Sequence, residues 1–187
     1  TEAIYAAAWQ RTRNSTASEV WGPHCRIWKS VDNGTNWQAL PNPWGQGERG
    51  RIGLAHSSQG VYALVVGQDS QLDNLYRTTD GGETWSAVIP EENFPENALG
   101  GFGWYFSKVR INPFNPDDIT ILGVNLWNSV NGGANWNLMG PEWWTYEVHA
   151  DKHDLQWLGS ETCILATDGG LYKTEDHGAT WEDLEDI

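Results

Sequence analysis

The stretch Ser30-Val31-Asp32-Asn33-Gly34-Thr35-Asn36-Trp37 decides the fold, because its pattern occurs four times along the chain. Each copy has a hydroxyl residue, then Asp or Asn two positions later, Gly two further on and Trp three after that. The other copies are Thr78–Trp85, Ser129–Trp136 and Thr174–Trp181. The tryptophans stand at positions 37, 85, 136 and 181, at intervals of 48, 51 and 45 residues. Intervals of this size are typical of a repeated supersecondary unit.

Each copy is predicted to be a hairpin turn between two short strands. The Asp or Asn side chain can accept hydrogen bonds from backbone N–H groups ahead of it, and the Gly supplies the positive φ that the turn requires. The Trp begins the return strand and is expected to bury its ring. Twelve residues are therefore assigned a structural role in these turns: Asp32, Gly34, Trp37, Asp80, Gly82, Trp85, Asn131, Gly133, Trp136, Asp176, Gly178 and Trp181.

Short strand-like segments fill the intervals between the turns, and no helical periodicity separates them. This pattern predicts an all-β chain, a β-propeller made of four-stranded antiparallel blades, with about four blades present. The predicted blades are 1–44, 45–92, 93–141 and 142–187. The first has only three recognisable strands, because nothing precedes Ala3 that could form its inner strand. We therefore expect the chain to be part of a larger propeller, or to be closed by blades from another chain.

The charge of the chain narrows the choice of partners. The formal net charge is −14, from 25 acidic and 11 basic residues. Such a surface repels phosphate backbones and anionic lipid, so we expect neither nucleic acid nor membrane as a partner. No apolar run approaches the roughly 18 residues of a membrane span. Cys25 and Cys163 lack the spacing of a metal site and are expected to be two buried thiols, with a bridge between the first and last repeats as the alternative.

The repeated turn resembles the Asp-box, or bacterial neuraminidase repeat, of sialidases, xyloglucan-degrading glycoside hydrolases, sortilin-type receptors and photosystem assembly propellers. Gly50–Ala55, Val61–Val65, and Val148–His153 followed by Thr167–Tyr172 are similar to bacterial extracellular propellers of the sortilin type that are labelled glycosyl hydrolases. The resemblance implies a secreted or cell-surface protein. Asn131 replaces the usual carboxylate but keeps an acceptor oxygen for the turn.

His149, Asp151 and His153 alternate along a segment that we predict to be the inner strand of the last blade, Tyr146–Leu155. Alternate residues of a strand share a face, so all three side chains are expected to point into the central channel. They could act as a catalytic acid/base or ligand-binding cluster, or form a structural network between blades. A strand holds the two histidine Cα atoms roughly 13 Å apart. A cation could therefore bind a neighbouring pair but not all three, and we predict no metal and no cofactor.

Arg51 and Arg110 each precede an Ile and are predicted to occupy matching places on the inner strands of the second and third blades. Inward-facing arginines suit the binding of carboxylates or sugars. The alternative is a pair of ion pairs between blades, for example with Asp151 or Asp168.

Four aromatic residues lie in loops predicted to enter the third and fourth blades: Trp104, Tyr105, Trp143 and Trp144. Exposed rings of this kind can stack on sugars, although they could instead pack between blades. Glycoside hydrolysis would also need two carboxylates facing each other, for which Asp151 with Asp154 or Glu147 are the candidates.

These patterns favour an extracellular binding propeller for a protein or glycan, with ligand-binding residues Arg51, Arg110, Trp104, Tyr105 and Trp144 near the channel mouth. A glycoside hydrolase of the sialidase or xyloglucanase kind is the second hypothesis, with Asp151, His149 and His153 as catalytic residues. The third is a structural component of a larger assembly.

Overall fold

The computed structural model describes residues 3–93 and 97–185. The predicted blades also include residues 1–2, 94–96 and 186–187, which lie outside the described residues. The described chain is built from antiparallel sheets, and its helical parts are two 3-10 turns, Glu91–Asn93 and Trp143–Thr145. The predicted all-β class is confirmed. No helix in residues 3–93 and 97–185 is both long and apolar enough to span a membrane.

The first sheet has three strands, in the order β1-β4-β5. A separate small hairpin, β2-β3, lies in the polar connection between β1 and β4. The strands of this region are β1 (Ile4–Ala8), β2 (Thr12–Arg13), β3 (Ser18–Glu19), β4 (Arg26–Ser30) and β5 (Gln38–Ala39).

Three further sheets each have four antiparallel strands in sequence order. The second blade contains β6 (Ile52–Ser57), β7 (Gly60–Val66), β8 (Leu72–Thr78) and β9 (Ser86–Ala87). The third contains β10 (Lys108–Asn112), β11 (Asn115–Leu122), β12 (Leu126–Ser129) and β13 (Asn137–Leu138). The fourth contains β14 (Lys152–Trp157), β15 (Cys163–Thr167), β16 (Gly170–Thr174) and β17 (Glu182–Asp183).

The hydrophobic core lies between neighbouring blades. One buried cluster joins the first and second blades, and it includes Ile27 and Val65. A second joins the second and third blades, and a third, with Leu122 and Leu165, joins the third and fourth. Cys25 and Cys163 belong to the first and last of these clusters and are both free, so the alternative of a bridge between them is not realised. Burial raises the pKa of each thiol, to about 12 for Cys163.

The repeated turns are organised by their buried hydroxyl groups. In the second blade, Thr78 Oγ1 donates to Asp80 Oδ1 at 2.7 Å and accepts the N–H of Gly82 at 2.9 Å. The Asp80 carboxylate in turn accepts the backbone N–H and the hydroxyl of Thr84. Ser30, Ser129 and Thr174 make the equivalent bonds in the other three turns.

The turn aspartates are stabilised in their ionised form by these hydrogen bonds. The side-chain bond from Thr84 is the largest of the effects that hold the pKa of Asp80 well below its usual range. The corresponding bond from Thr180 is the largest cause that lowers the pKa of Asp176 to about 2.

The turn glycines have a second role that the sequence did not reveal. A Cβ atom on Gly82 would lie 2.4 Å from Leu40 Cδ1, and one on Gly133 would lie 2.3 Å from Val88 Cγ1. Leu40 and Val88 follow the outermost strands of the preceding blades. The glycine therefore allows the second, third and fourth turns to pack closely on the outer edge of the blade before them.

The turn tryptophans are less buried than predicted. The ring of Trp37 is 41% exposed, and those of Trp85, Trp136 and Trp181 are only partly buried. Three of the four indole N–H groups donate to the carbonyl of the turn glycine, at 2.9–3.1 Å. Trp85, Trp136 and Trp181 pack against the clusters between blades but, being only partly buried, contribute less burial free energy than a fully enclosed Trp would.

Candidate ligand-binding cleft

The described residues form an aromatic cleft of about 510 Å³ where the loops that enter the third and fourth blades meet. Its walls are mainly aromatic, and two carboxylates stand among them. The lining residues are Phe102, Trp104, Tyr105, Phe106, Val124, Trp143, Ala150, Asp151 and Asp168. We call this site the aromatic cleft.

The first wall comes from the loop before β10, which is folded by its own backbone hydrogen bonds. The N–H groups of Tyr105 and Phe106 both donate to the carbonyl of Phe102, at 2.8 and 2.9 Å. The N–H of Gly103 donates to Ser70 O at 2.9 Å. A Cβ atom at this position would lie only 2.7 Å from the same oxygen. This tight loop buries Phe106 but leaves Phe102 and Tyr105 half exposed, at 50% and 45%.

The second wall comes from the loop before β14. The Trp143 N–H donates to Asn125 Oδ1 at 2.9 Å. Trp143 begins the 3-10 turn Trp143–Thr145, and the next residue, Tyr146, has a left-handed φ of 61°. The rings of Trp143 and Trp144 meet edge to face, with centroids 5.9 Å apart. Both rings are largely exposed, at 42% and 54%.

The predicted inner strand Tyr146–Leu155 is wrong in its first half, because β14 begins only at Lys152. Asp151 has a left-handed φ of 63°, which breaks the extended backbone just before the strand. His149, Asp151 and His153 therefore do not share one face of a strand, and of the three only His153 lies on β14. His149 is exposed in the loop, where its Nδ1 is 2.9 Å from Ala150 O.

The β15–β16 turn brings these residues together in a different way. His153 Nε2 contacts Asp168 Oδ1 in this turn, and the next residue, Gly169, packs directly beneath the His149 ring. The Asp168 N–H donates to Asp151 O at 3.3 Å. Asp168 and Asp151 are thus neighbours on the rim of the cleft, and the two histidines flank the turn that carries Asp168.

The His153 imidazole connects the acidic rim to the aromatic wall. Its ring meets Tyr105 edge to face with centroids 5.4 Å apart, and it lies 5.9 Å from the ring of Phe106. The His153 ring thus contacts both the Asp168 carboxylate and two rings of the aromatic wall.

Lys152 is a buried cation that follows Asp151 at the start of β14. It is 2% exposed, and its ammonium donates to the carbonyl of His149. Burial lowers the pKa of Lys152 to about 8, and the Asp151 carboxylate acts in the opposite direction. The bond from Lys152 holds the loop before β14 against the blade.

The predicted match between Arg51 and Arg110 is wrong, as the strand register shows. In the second blade Thr78 pairs with Val61, which pairs with His56. In the third blade Ser129 pairs with Ile119, which pairs with Ile111. His56 and Ile111 are therefore equivalent positions, so Arg110 corresponds to Ala55.

The two arginines have different partners. Arg110 forms an ion pair between blades with Asp154, at 2.6 Å, rather than with Asp151 or Asp168. This contact engages Asp154, one of the predicted partners of Asp151 in a carboxylate pair. Arg51 donates to Tyr105 O at 2.6 Å, and its guanidinium lies over the ring of Trp9, 5.4 Å from the centroid.

Trp104 lies between the cleft and a second cation. The guanidinium of Arg11 lies between two tryptophan rings, 5.2 Å from the centroid of Trp104 and 5.4 Å from the centroid of Trp9. Of the predicted ligand-binding residues, Trp104 and Tyr105 line the cleft, and Trp144 contacts it through Trp143. Arg51 supports Tyr105 from behind, whereas Arg110 and Glu147 are not among the lining residues.

No group of three or more His, Cys, Asp or Glu side chains within the described ranges is arranged to hold a metal ion. The contacts of Asp168 and the cleft contacts of Phe106 were missed by sequence reasoning. The Thr167-Asp168-Gly169-Gly170 sequence predicts a turn that exposes an Asp, but only the packing of blades shows what that carboxylate faces.

Comparisons with known proteins agree with this architecture. The family described as BNR/Asp-box repeat matches residues 76–87, which contain the second turn. No curated protein matches the sequence significantly. The chain therefore contains a BNR/Asp-box repeat, and its fold is similar to that of glycosyl hydrolase propellers.

Solved structures with this fold include both enzymes and a peptide-binding protein. The GH74 xyloglucanase from Xanthomonas campestris has a TM-score of 0.66 at 15% identity, over 99% of this chain and 29% of that one. A GH74 enzyme from Niastella koreensis has a TM-score of 0.58 at 19% identity, over 89% and 28% of the two chains. YCF48 bound to D1 peptide has a TM-score of 0.55 at 13% identity, over 93% and 57%. The chain thus spans less than a third of each GH74 structure and about half of YCF48.

Proposed function

We propose that this chain is part of a binding propeller whose protein or glycan ligand occupies the aromatic cleft. The observation that carries the proposal is the meeting of five aromatic side chains with the Asp151 and Asp168 carboxylates in one open cleft. Aromatic rings that remain exposed on an otherwise charged surface are typical of recognition sites. The resemblance to extracellular propellers makes a secreted or cell-surface location part of the proposal.

A glycoside hydrolase is the second candidate, because two carboxylates stand beside rings that could stack on a sugar. In this hypothesis Asp151 is a catalytic acid or base, and His153 orients Asp168. The similarity to a xyloglucanase supports the fold that such an enzyme would have. Hydrolysis by this chain is the second proposal.

A glycan array combined with a panel of fluorogenic glycosides separates the two candidates. Binding without turnover that is lost in Trp143→Ala supports the binding propeller. Turnover that is abolished in Asp151→Asn supports the hydrolase instead. Ligand binding that is unchanged in Trp143→Ala would show that the cleft is not the site.

A further inference from the structure

We infer that the ligand of the aromatic cleft is a basic protein segment whose Arg or Lys side chain sits between the rings and the two carboxylates. The inference rests on the proposed binding function and names the chemical class of its ligand. It follows from the composition of the cleft, the charge of the loop beside it and the contacts of its neighbouring arginine.

The cleft is complementary to a cation in both of its components. The faces of Trp and Tyr rings attract a guanidinium or ammonium group, and carboxylates add a direct ion pair. Among the residues that the structure describes, no Lys or Arg side chain lines the cleft, whereas Asp151 and Asp168 both do. A neutral sugar could stack on the rings, but it carries no positive charge to pair with the two carboxylates.

The surroundings extend this complementarity. The loop from Gly140 to Asp151 carries Glu142, Glu147 and Asp151 and contains no Lys or Arg. The whole chain has a net charge of −14, so a basic segment is attracted from a distance and an acidic one is repelled. Lys152, which follows Asp151 in the sequence, is buried, and its ammonium donates to His149 O.

The protein already contains the contact that the inference requires. Arg11 places its guanidinium 5.2 Å from the centroid of Trp104, a ring that also lines the cleft. An arginine from a partner could use Tyr105 or Trp143 in the same way, because both rings are more than 40% exposed.

The test uses a fluorescein-labelled Gly-Arg-Gly-Arg-Gly peptide, with the citrulline peptide as a probe of the same shape without the charge. We expect the arginine peptide to bind about tenfold more tightly, and the difference to shrink as salt is raised. Asp151→Asn and Asp168→Asn should each reduce its affinity about three- to tenfold. Glu161→Gln, an exposed carboxylate at the opposite end of β14, is the matched control and should change nothing.

Trp143→Ala tests the aromatic part, with Phe114→Ala as its control, because Phe114 is an exposed aromatic residue beyond the far end of β10. Equal binding of the arginine and citrulline peptides, or no binding of the arginine peptide, overturns the inference. If a neutral oligosaccharide binds instead and Trp143→Ala removes that binding, the cleft is a binding site but its ligand is a glycan. Binding that neither Trp143→Ala nor the Asp variants alter would refute the proposed function as well.

Discussion

At the scale of the residue, the buried hydroxyl is the centre of each repeated turn. Thr78 is 2% exposed and joins the Asp80 carboxylate to the N–H of the buried Gly82. A buried N–H that loses its acceptor costs more than the net value of one hydrogen bond, because no water replaces the partner. The hydroxyl position should therefore tolerate substitution less well than the exposed Asp.

The change Thr78→Val keeps the shape of the side chain and removes both hydrogen bonds. We expect it to lower the free energy of unfolding by about 2–3 kcal/mol, because the Gly82 N–H is left without an acceptor. Thr79→Val is the control, since Thr79 is exposed. Urea unfolding measures both variants, and equal stability of the two would contradict this role of the hydroxyl.

The lowered pKa values of the turn aspartates predict that the stability of the fold depends on pH. Because folding lowers the pKa of Asp176 from 3.8 to about 2, its contribution is fully present above about pH 4 and is lost as the pH falls to about 2. The variant Asp176→Asn should show a smaller loss of stability between these pH values, and Asn131 shows that an amide can serve in this turn. Urea midpoints measured from pH 5 to pH 2 compare it with the unchanged protein. Parallel curves for the two proteins would be evidence against the stabilised carboxylate.

At the scale of the element, three of the four described turns serve both their own hairpin and the packing of the blade before them. Gly34 and Gly82 have similar left-handed φ values of 84° and 96°. A Cβ atom on Gly34 would meet nothing closer than Trp37 at 3.7 Å, whereas one on Gly82 would collide with Leu40. Substitutions at these two glycines therefore distinguish the cost of backbone strain from the cost of a clash between blades.

We predict that Gly34→Ala costs about 1–2 kcal/mol, from the left-handed backbone alone. Gly82→Ala should cost about 1–3 kcal/mol more, because the Leu40 side chain must move out of a packed interface. Thermal or urea unfolding of the two variants gives the difference directly. Should both variants lose the same stability, the close contact between the second turn and the first blade does not constrain the fold.

At the scale of the whole molecule, two of the polar contacts between the third and fourth blades involve a carboxylate. The ion pair between Arg110 and Asp154 is one third to one half exposed. The second contact is a network around Asp118, which is 1% exposed. Its carboxylate accepts from Asn112 at 2.7 Å and Asn128 at 2.6 Å, and it contacts His177 Nε2 at 2.8 Å.

Burial decides which of these contacts stabilises the arrangement of the blades. We expect Asp154→Asn to change the free energy of unfolding by no more than about 1 kcal/mol, because solvent screens an exposed ion pair. Asp118→Asn should cost about 2–4 kcal/mol, since a single amide oxygen cannot serve all three donors. Denaturant titrations of the two variants test this order, and the reverse order would mean that the exposed pair holds the blades together.

Much of the fold could be predicted from the sequence, but the register of the inner strands could not. The turn pattern locates the outer half of every blade through local chemistry. The inner strands lack such a marker, so the sequence pattern aligns Arg51 with Arg110 and predicts that β14 begins six residues too early. Non-glycine residues with left-handed φ, such as Asp151 and Tyr146, interrupt a segment whose alternation suggests a strand.

The sequence by itself determined the blades, because the hydroxyl, Asp, Gly and Trp of each turn interact within eight consecutive residues. It also supplied Trp104, Tyr105, Asp151 and His153 as candidates for a site. Only the tertiary structure showed that Trp104, Tyr105 and Asp151 line one cleft with Asp168, and that His153 contacts Asp168. Their contacts join two loops and a turn from neighbouring blades, and such contacts depend on how the blades pack rather than on any local pattern.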